Sequence, residues 1–331
     1  MAREIPPWVS SRRDGKDVVQ LGEREYPVDI SKPPVFFYWV YLQARLPRPW
    51  MTNQAELPVS EQHPLMRWLR GFEAFLTEFE RRGRPRESKE FFASDAMAAA
   101  LLAHDLYFLD GNKILQDALV QRLTDRVAFQ GARHEVAVAA TMVRAGFEVE
   151  FEDETDSSRK HPEFVATHHH TRTRIAVEAK SIHRTGVLGY RNGNPPPALD
   201  HASFHKIAAQ VCGQVQRALP KAHNLPLYVF VDLNLTTAVA NALGAPVLNE
   251  IARILPHVDT GWNRLGVFEG KRMNLLTVTN WPMHLGETGE TLNLFLDPAE
   301  SDCQFPEGSR HTPGVKAAVK QYGTVEIRDR G

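Results

Sequence analysis

The sequence predicts an α/β fold in which a mixed central sheet is flanked by helices and preceded by a mainly helical N-terminal region. Three observations predict it. Apolar residues recur at helical spacing through much of the first third of the chain. After Gly146 the period shortens to strict alternation, as in a half-buried strand. From about residue 130 to 235 the segments then read helix, three strands, helix, strand.

Up to Pro64 the chain is punctuated by prolines around the aromatic run Phe36, Phe37, Tyr38 and Trp39. Leu65–Glu80, Ala93–Leu109 and Ile114–Phe129 follow with helical spacing, so residues 1–125 read as an accessory helical region. Arg81, Arg82, Arg84, Arg86 and Lys89 form a basic cluster that could touch phosphate, but interleaved Glu78, Glu80, Glu87 and Glu90 favour a solvated linker between helices. Residues 126–331 read as the core with a C-terminal extension. Val136, Ala139, Ala140 and Val143 give Ala132–Ala145 an apolar helical face, and Gly146 is placed to stop it. Phe147, Val149 and Phe151 alternate with Glu148, Glu150 and Glu152 as a first strand. A second strand runs from Glu163 through Thr167, His168–Arg172 form a turn, and a third strand ends at Ser181. Gly186–Pro197 is a loop by composition. Phe204–Leu219 carries Ile207, Val211, Val215 and Leu219 as a helix, and Pro226–Leu235 is strand-like. In the last third, Val247–Leu255 and Val315–Tyr322 have helical spacing, while Asn274–Trp281, Thr291–Leu296 and Val325–Ile327 read as strands.

The chemistry concentrates between His161 and Ser181. Side chains alternate along a strand, so Glu178 and Lys180 share one face while Ile175, Val177 and Ala179 take the other. The hairpin brings Glu163 alongside Glu178. Two carboxylates and an ammonium then share a sheet edge, expected to face solvent and substrate. Pro162-Glu163, followed after a hairpin by Glu178-Ala179-Lys180, resembles the signature of the PD-(D/E)XK nuclease superfamily. The first acidic position, more usually aspartate in that family, is here Glu163, one methylene longer.

The resemblance implies a restriction-endonuclease-like core and a metal-dependent endonuclease that hydrolyses phosphodiester bonds. It implies that Glu163, Glu178 and the backbone carbonyl of Ala179 hold Mg2+, with Mn2+ as a substitute, and that Glu135 on the preceding helix assists. Lys180 is then the residue that orients or deprotonates the attacking water or stabilises the transition state. Glu135 is alternatively a solvated first-turn carboxylate favoured by the helix dipole. Gln210 and Gln214, one turn apart on the next helix, resemble polar residues that line the site in some family members, but suit an exposed helix face equally. For the central trio, the plain alternative is a surface ion pair contributing at most about 1 kcal/mol.

The partner implied is nucleic acid, DNA rather than RNA, in restriction, phage defence, repair or mobile-element processing; a homodimer is one assembly this allows. Lys160, Arg172, Arg174 and Arg184 surround the motif and could contact phosphates. The net charge of −1 confines any such basic surface to a groove. A catalytically inactive nucleic-acid- or protein-binding module of the same fold is the alternative. A histidine-based metalloenzyme retaining zinc is a further one. His168, His169 and His170 do not favour it, because successive turn residues diverge, and His201 and His205 follow an uncertain helix start after three prolines.

Composition sets outer bounds. With 331 residues, 43% hydrophobic and 24% charged, the chain can bury a substantial core. Its early apolar run, Val35–Leu42, is too short to span a bilayer, so no membrane partner is expected and cytoplasmic residence is the default. Two cysteines, Cys212 and Cys303, make no disulfide framework. The sequence has no phosphate-cradling glycine loop with lysine.

Overall fold

The computed structural model describes residues 10–13, 16–21, 24–29, 32, 34–82, 94–152, 161–183, 201–222, 224–243, 249, 273–287, 289, 291–297 and 303–323. Lys160, Arg184, the loop Gly186–Pro197, the predicted helix Val247–Leu255 apart from Asn249, and the predicted strand Val325–Ile327 lie outside the described residues, as do Arg84, Arg86 and Lys89.

The N-terminal region opens with β1 (Ser10–Arg13), β2 (Lys16–Leu21) and β3 (Arg24–Val28), an antiparallel sheet that the sequence reading did not anticipate. These strands are too short for their alternation to stand out. Val19, Leu21 and Tyr26 fix the sheet to α1 (Pro34–Arg45), where the Tyr26 ring meets Phe37 and Tyr41. After α2 (Arg48–Glu56) comes α3 (Pro64–Arg81). The His63 ring caps it by accepting from the Leu65 N–H at 3.2 Å, and Pro64 occupies the first turn, where no N–H is required. Its buried face, Leu65, Trp68, Leu69, Phe72, Phe75 and Leu76, repeats at three and four residues. α4 (Ser94–Gly111) is apolar on all sides because it is covered on all sides. Gly71 of α3 permits its approach: a Cβ there would stand 2.7 Å from the Asp95 Cβ.

The predicted helix over Ile114–Phe129 is divided. α5 is Asp117–Thr124, and Asp125 then interrupts the chain by accepting from the Val127 and Ala128 N–H groups at 2.7 and 2.8 Å. α6 (Phe129–Arg144) therefore starts earlier than its apolar spacing suggested. It ends at Gly146, whose φ of 93° is the left-handed geometry glycine adopts without strain.

The central sheet comprises β4 (Phe147–Phe151), β5 (Phe164–His168), β6 (Arg174–Ser181), β7 (Leu227–Asp232), β8 (Leu275–Asn280) and β9 (Leu292–Leu296), paired in chain order. β4, β5 and β6 form an antiparallel meander; β7 lies parallel to β6 and β8 parallel to β7, and β9 returns antiparallel. α7 (His201–Ala218) makes the crossover that a parallel β6–β7 pair requires. After α8 (Thr237–Leu243), the further α-helices among the described residues are a single turn α9 (Pro306–Ser309) and α10 (Thr312–Lys320).

Alternation assigns the two faces. Ile175, Val177, Ala179, Tyr228, Phe230 and Leu275 pack toward α6 and the N-terminal helices in one continuous apolar layer. Ala176, Val229, Val231, Leu276 and Val278 pack toward Ile207, Val211 and Val215 of α7. The first layer runs unbroken from Val19 of β2 to Val319 of α10, so it crosses the predicted boundary near residue 125. Among the described residues, no helix is long and apolar enough to cross a membrane. Cys212 and Cys303 are both free.

Candidate active site

β5 and β6 pair with Phe164 opposite Val177, and one residue upstream the Glu163 N–H donates to the Val177 carbonyl at 3.1 Å. That bond departs from the register by one residue, as in a β-bulge where Glu163 and Phe164 both oppose Val177, and the Glu163 carboxylate meets Lys180 and Lys221 beside Glu178. Two carboxylates this close repel unless a cation stands between them. Lys180 supplies it. Two residues along β6 and on the same face, its Nζ lies 2.7 Å from Glu178 Oε2 and also pairs with Glu163 Oε1.

A second lysine joins them. Lys221, in the 3-10 turn Leu219–Lys221 at the end of α7, stands 3.0 Å from Glu178 Oε1 and 4.0 Å from Glu163 Oε1. Although the ammonium is near, Glu178 Oε1 receives no hydrogen bond of good geometry. Nothing in the local sequence marks Lys221 as part of the site; the crossover alone delivers it.

Glu178 does not face solvent as expected. Its side chain is fully buried, whereas Lys180 and Glu163 keep 19% and 13% exposure. Burial raises the Glu178 carboxyl above its ordinary range and the Glu163 charge adds to this, while Lys180 and Lys221 pull the other way. Burial works against the Lys180 ammonium, but Glu163 and Glu178 outweigh it and hold its pKa above the ordinary value. The motif is thus a partly buried cluster of two acids and two bases, not an exposed ion pair.

The Ala179 carbonyl also has a defined direction. The Ala176 and Ile182 N–H groups bond to β7, and the Val177 carbonyl bonds to the β5 side. Ala179 shares the parity of Val177, so its carbonyl points away from β7, past the start of β5.

Glu135 enters from the opposite layer. It is buried in the second turn of α6, not solvated in the first, and Arg122 of α5 grips its carboxylate with bonds of 2.7 and 2.5 Å. Gln210 and Gln214 are half-buried on α7, and Gln210 Oε1 is enclosed without a hydrogen-bond partner. Arg174 is exposed on the same face as Glu178. With His161, Pro162, Val165, Lys221 and Glu152 it lines a cavity of about 280 Å³ beside the acid pair. Arg172 sits at the hairpin tip with a φ of 58°, turned toward Glu148 at 3.3 Å. A larger hollow of about 490 Å³ lies by Arg24, Tyr26, Arg45 and Asp117, in the N-terminal region away from this cluster.

A second polar group, unforeseen in the sequence, occupies the other face of the sheet. His134 of α6, Asp232 at the end of β7 and His284 in the 3-10 turn Pro282–Leu285 present ligand atoms within 4.8 Å of one another, all buried. Burial pushes the Asp232 carboxyl up to about 7, against hydrogen bonds from Thr279 and the Trp281 and Asn234 backbone. It pushes the His134 imidazole down to about 3 and His284 well below the ordinary histidine value, with Arg133 adding to both. Asp105, Arg133 and Tyr322 adjoin: Tyr322 Oη donates to Asp105 Oδ2 at 2.8 Å, and Arg133 Nη1 reaches the same oxygen at 3.1 Å.

No family model, no curated protein and no solved structure matches this chain.

Proposed function

We propose that this chain is a divalent-metal-dependent nuclease that hydrolyses phosphodiester bonds, DNA being the favoured substrate, through Glu163, Glu178 and Lys180. The observation that carries the reading is the cross-strand pair of carboxylates sharing one cation at the open end of a β5–β6 hairpin. The strand order supports it, since helix, antiparallel meander, crossover helix and parallel strand is the core order that the PD-(D/E)XK resemblance implies.

The donor set fits magnesium. Two carboxylates that already converge on one positive charge, plus the outward carbonyl of Ala179, are hard oxygen ligands with room for water. Bound there, the ion would lower the pKa of a coordinated water and offset charge growing on the phosphate. Glu163 and Glu178 hold and orient the cation. Lys180 is firmly protonated, so its part is to stabilise phosphoryl charge or to donate a proton, not to act as base while both acids remain on it. Arg174 and Lys221, at the cavity beside the pair, would receive the phosphodiester backbone.

Purified protein assayed on plasmid, linear and single-stranded DNA and on RNA should cleave DNA with Mg2+ or Mn2+ and not with chelator. Glu178→Ala and Glu163→Ala should each abolish turnover. Cleavage at the wild-type rate in either variant, or none by the wild type under any metal, refutes the assignment. One observation favours a binding module instead: both acids are already neutralised by lysines. That reading predicts salt-dependent complex formation without cleavage.

A further inference from the structure

We infer that His134, Asp232 and His284 form a binding site for one first-row divalent transition ion, zinc by ligand type, separate from the carboxylate pair on β5 and β6. The three side chains come from α6, the C-terminal end of β7 and the turn after β8, and each is at most 2% exposed. Their ligand atoms lie within 4.8 Å of one another.

The internal geometry is poor for a hydrogen-bonded cluster and good for a shared ion. His284 Nδ1 and Asp232 Oδ2 are 3.7 Å apart, too far for a hydrogen bond. Two ligands of a tetrahedral zinc, with bonds near 2.0–2.1 Å, stand about 3.3 Å apart, within a small side-chain adjustment of this spacing. His134 is more telling. Both of its ring nitrogens are buried, and neither makes a hydrogen bond of good geometry. The Phe230 carbonyl is a backbone hydrogen-bond acceptor for the ring, though not in good geometry. With one acceptor for two ring nitrogens, a buried polar nitrogen is still left unpaired, at a cost of about 1–3 kcal/mol. A metal bond at one nitrogen, with the other N–H directed at the Phe230 carbonyl, removes that cost.

The surroundings are those that ligands have. His284 Nε2 meets Tyr322 Oη at 2.9 Å, which leaves Nδ1 turned to Asp232. Asp232 Oδ1 accepts from Thr279 Oγ1 at 3.2 Å, which leaves Oδ2 turned to His284. Each of these two ligands is therefore oriented by a hydrogen bond on its far atom, as metal ligands commonly are. Two imidazole nitrogens and one carboxylate oxygen suit zinc and its neighbours and not magnesium, whose preference is for oxygen alone. Three protein ligands leave a position for water.

Position separates the two sites. Asp232 shares the parity of Tyr228 and Phe230 and faces α6, whereas Glu178 and Lys180 face α7. An ion at the histidines would join the helical layer to the ends of the two parallel strands, and Tyr322 would extend that join to the chain after α10.

The test is elemental analysis of the full chain, purified without chelator, followed by unfolding with chelator and refolding with zinc or cobalt(II). The expected result is one equivalent of zinc per chain, and in the refolded protein one equivalent of cobalt with visible d–d absorption from nitrogen and oxygen ligands. Asp232→Asn and His134→Gln should lose the ion, and Tyr322→Phe should keep the stoichiometry but bind about 10–100-fold more weakly. Glu178→Ala should retain it in full, whether or not the chain proves to be a nuclease. Because the wild-type uptake stands alone, a ligand variant that fails to fold does not spoil the test. Substoichiometric metal both as purified and after refolding with zinc or cobalt, full retention in Asp232→Asn, or loss in Glu178→Ala would overturn the assignment.

Discussion

Replacing Lys180 by methionine isolates the electrostatics of the acid pair, because the stem survives while the bridging ammonium goes. Glu163 and Glu178 would then face each other with Lys221 as the nearest cation, 3.0 Å from one and 4.0 Å from the other. Two carboxylates that share one ammonium lie about 5 Å apart, and at an effective dielectric near 20 they repel by roughly 3 kcal/mol. Lys221 offsets part of that, so the expected loss of stability is about 1–3 kcal/mol. Urea unfolding of variant and wild type should show it as a lower midpoint at unchanged slope. Mn2+ or Mg2+ should then restore the variant. An ion present at a hundred times its Kd contributes about 2.7 kcal/mol. In the wild type the same ion must first displace the ammonium, so its gain should be smaller. Equal midpoints without metal, together with no metal-dependent recovery, would refute the claim that these acids are coupled through one cation position.

Further outcomes follow from the same geometry. Glu163→Asp should change the rate of metal-dependent cleavage measurably, because ligand reach shortens by a methylene; an unchanged rate across metal concentrations would remove Glu163 from the ligand set. Arg174→Ala should weaken DNA binding and flatten its dependence on log salt by about one phosphate contact, while an unaltered slope would place the backbone elsewhere. The His63 imidazole is pushed down to about 4 from its ordinary 6.5, chiefly by burial and further by Arg126, with Asp125 opposing. The unfolded chain therefore takes up a proton that the folded one refuses, so stability is full above about pH 6.5 and falls as pH drops toward 4. Between pH 7 and 5 the His63 share is about 2 kcal/mol, and His63→Gln should remove that share of the pH dependence seen in urea titrations. A fragment of residues 126–331 should fail to give a cooperative unfolding transition, since it exposes the α6 face that α4 covers; a cooperative, monomeric fragment would contradict a shared core.

Much of the local architecture could be read from the chain. Helical spacing located α3, α4, α6 and α7, and alternation located β4, β5 and β6, because these periods reflect which side of an element meets the core. The nearness of Glu163 to Glu178 was readable from the hairpin, but the one-residue departure from the Phe164–Val177 register at Glu163 was not, because it lies in backbone bonding and leaves no mark on the apolar pattern. The break between α5 and α6 was missed because Asp125 competes for the backbone through a hydrogen bond that leaves the apolar period almost undisturbed.

Periodicity is a property of neighbours in sequence, and it determined most of the elements from α3 onward, their order and the faces on which Glu178 and Lys180 stand. Assembly decided the rest. The parallel β6–β7–β8 ladder and its α7 crossover bring Lys221 to Glu178, close that carboxylate off from water, and set Asp232 between a helix and a turn that supply His134 and His284. None of those meetings has a period. They depend on how far the chain travels between strands and which face it returns to, and the packing of the two apolar layers fixes both.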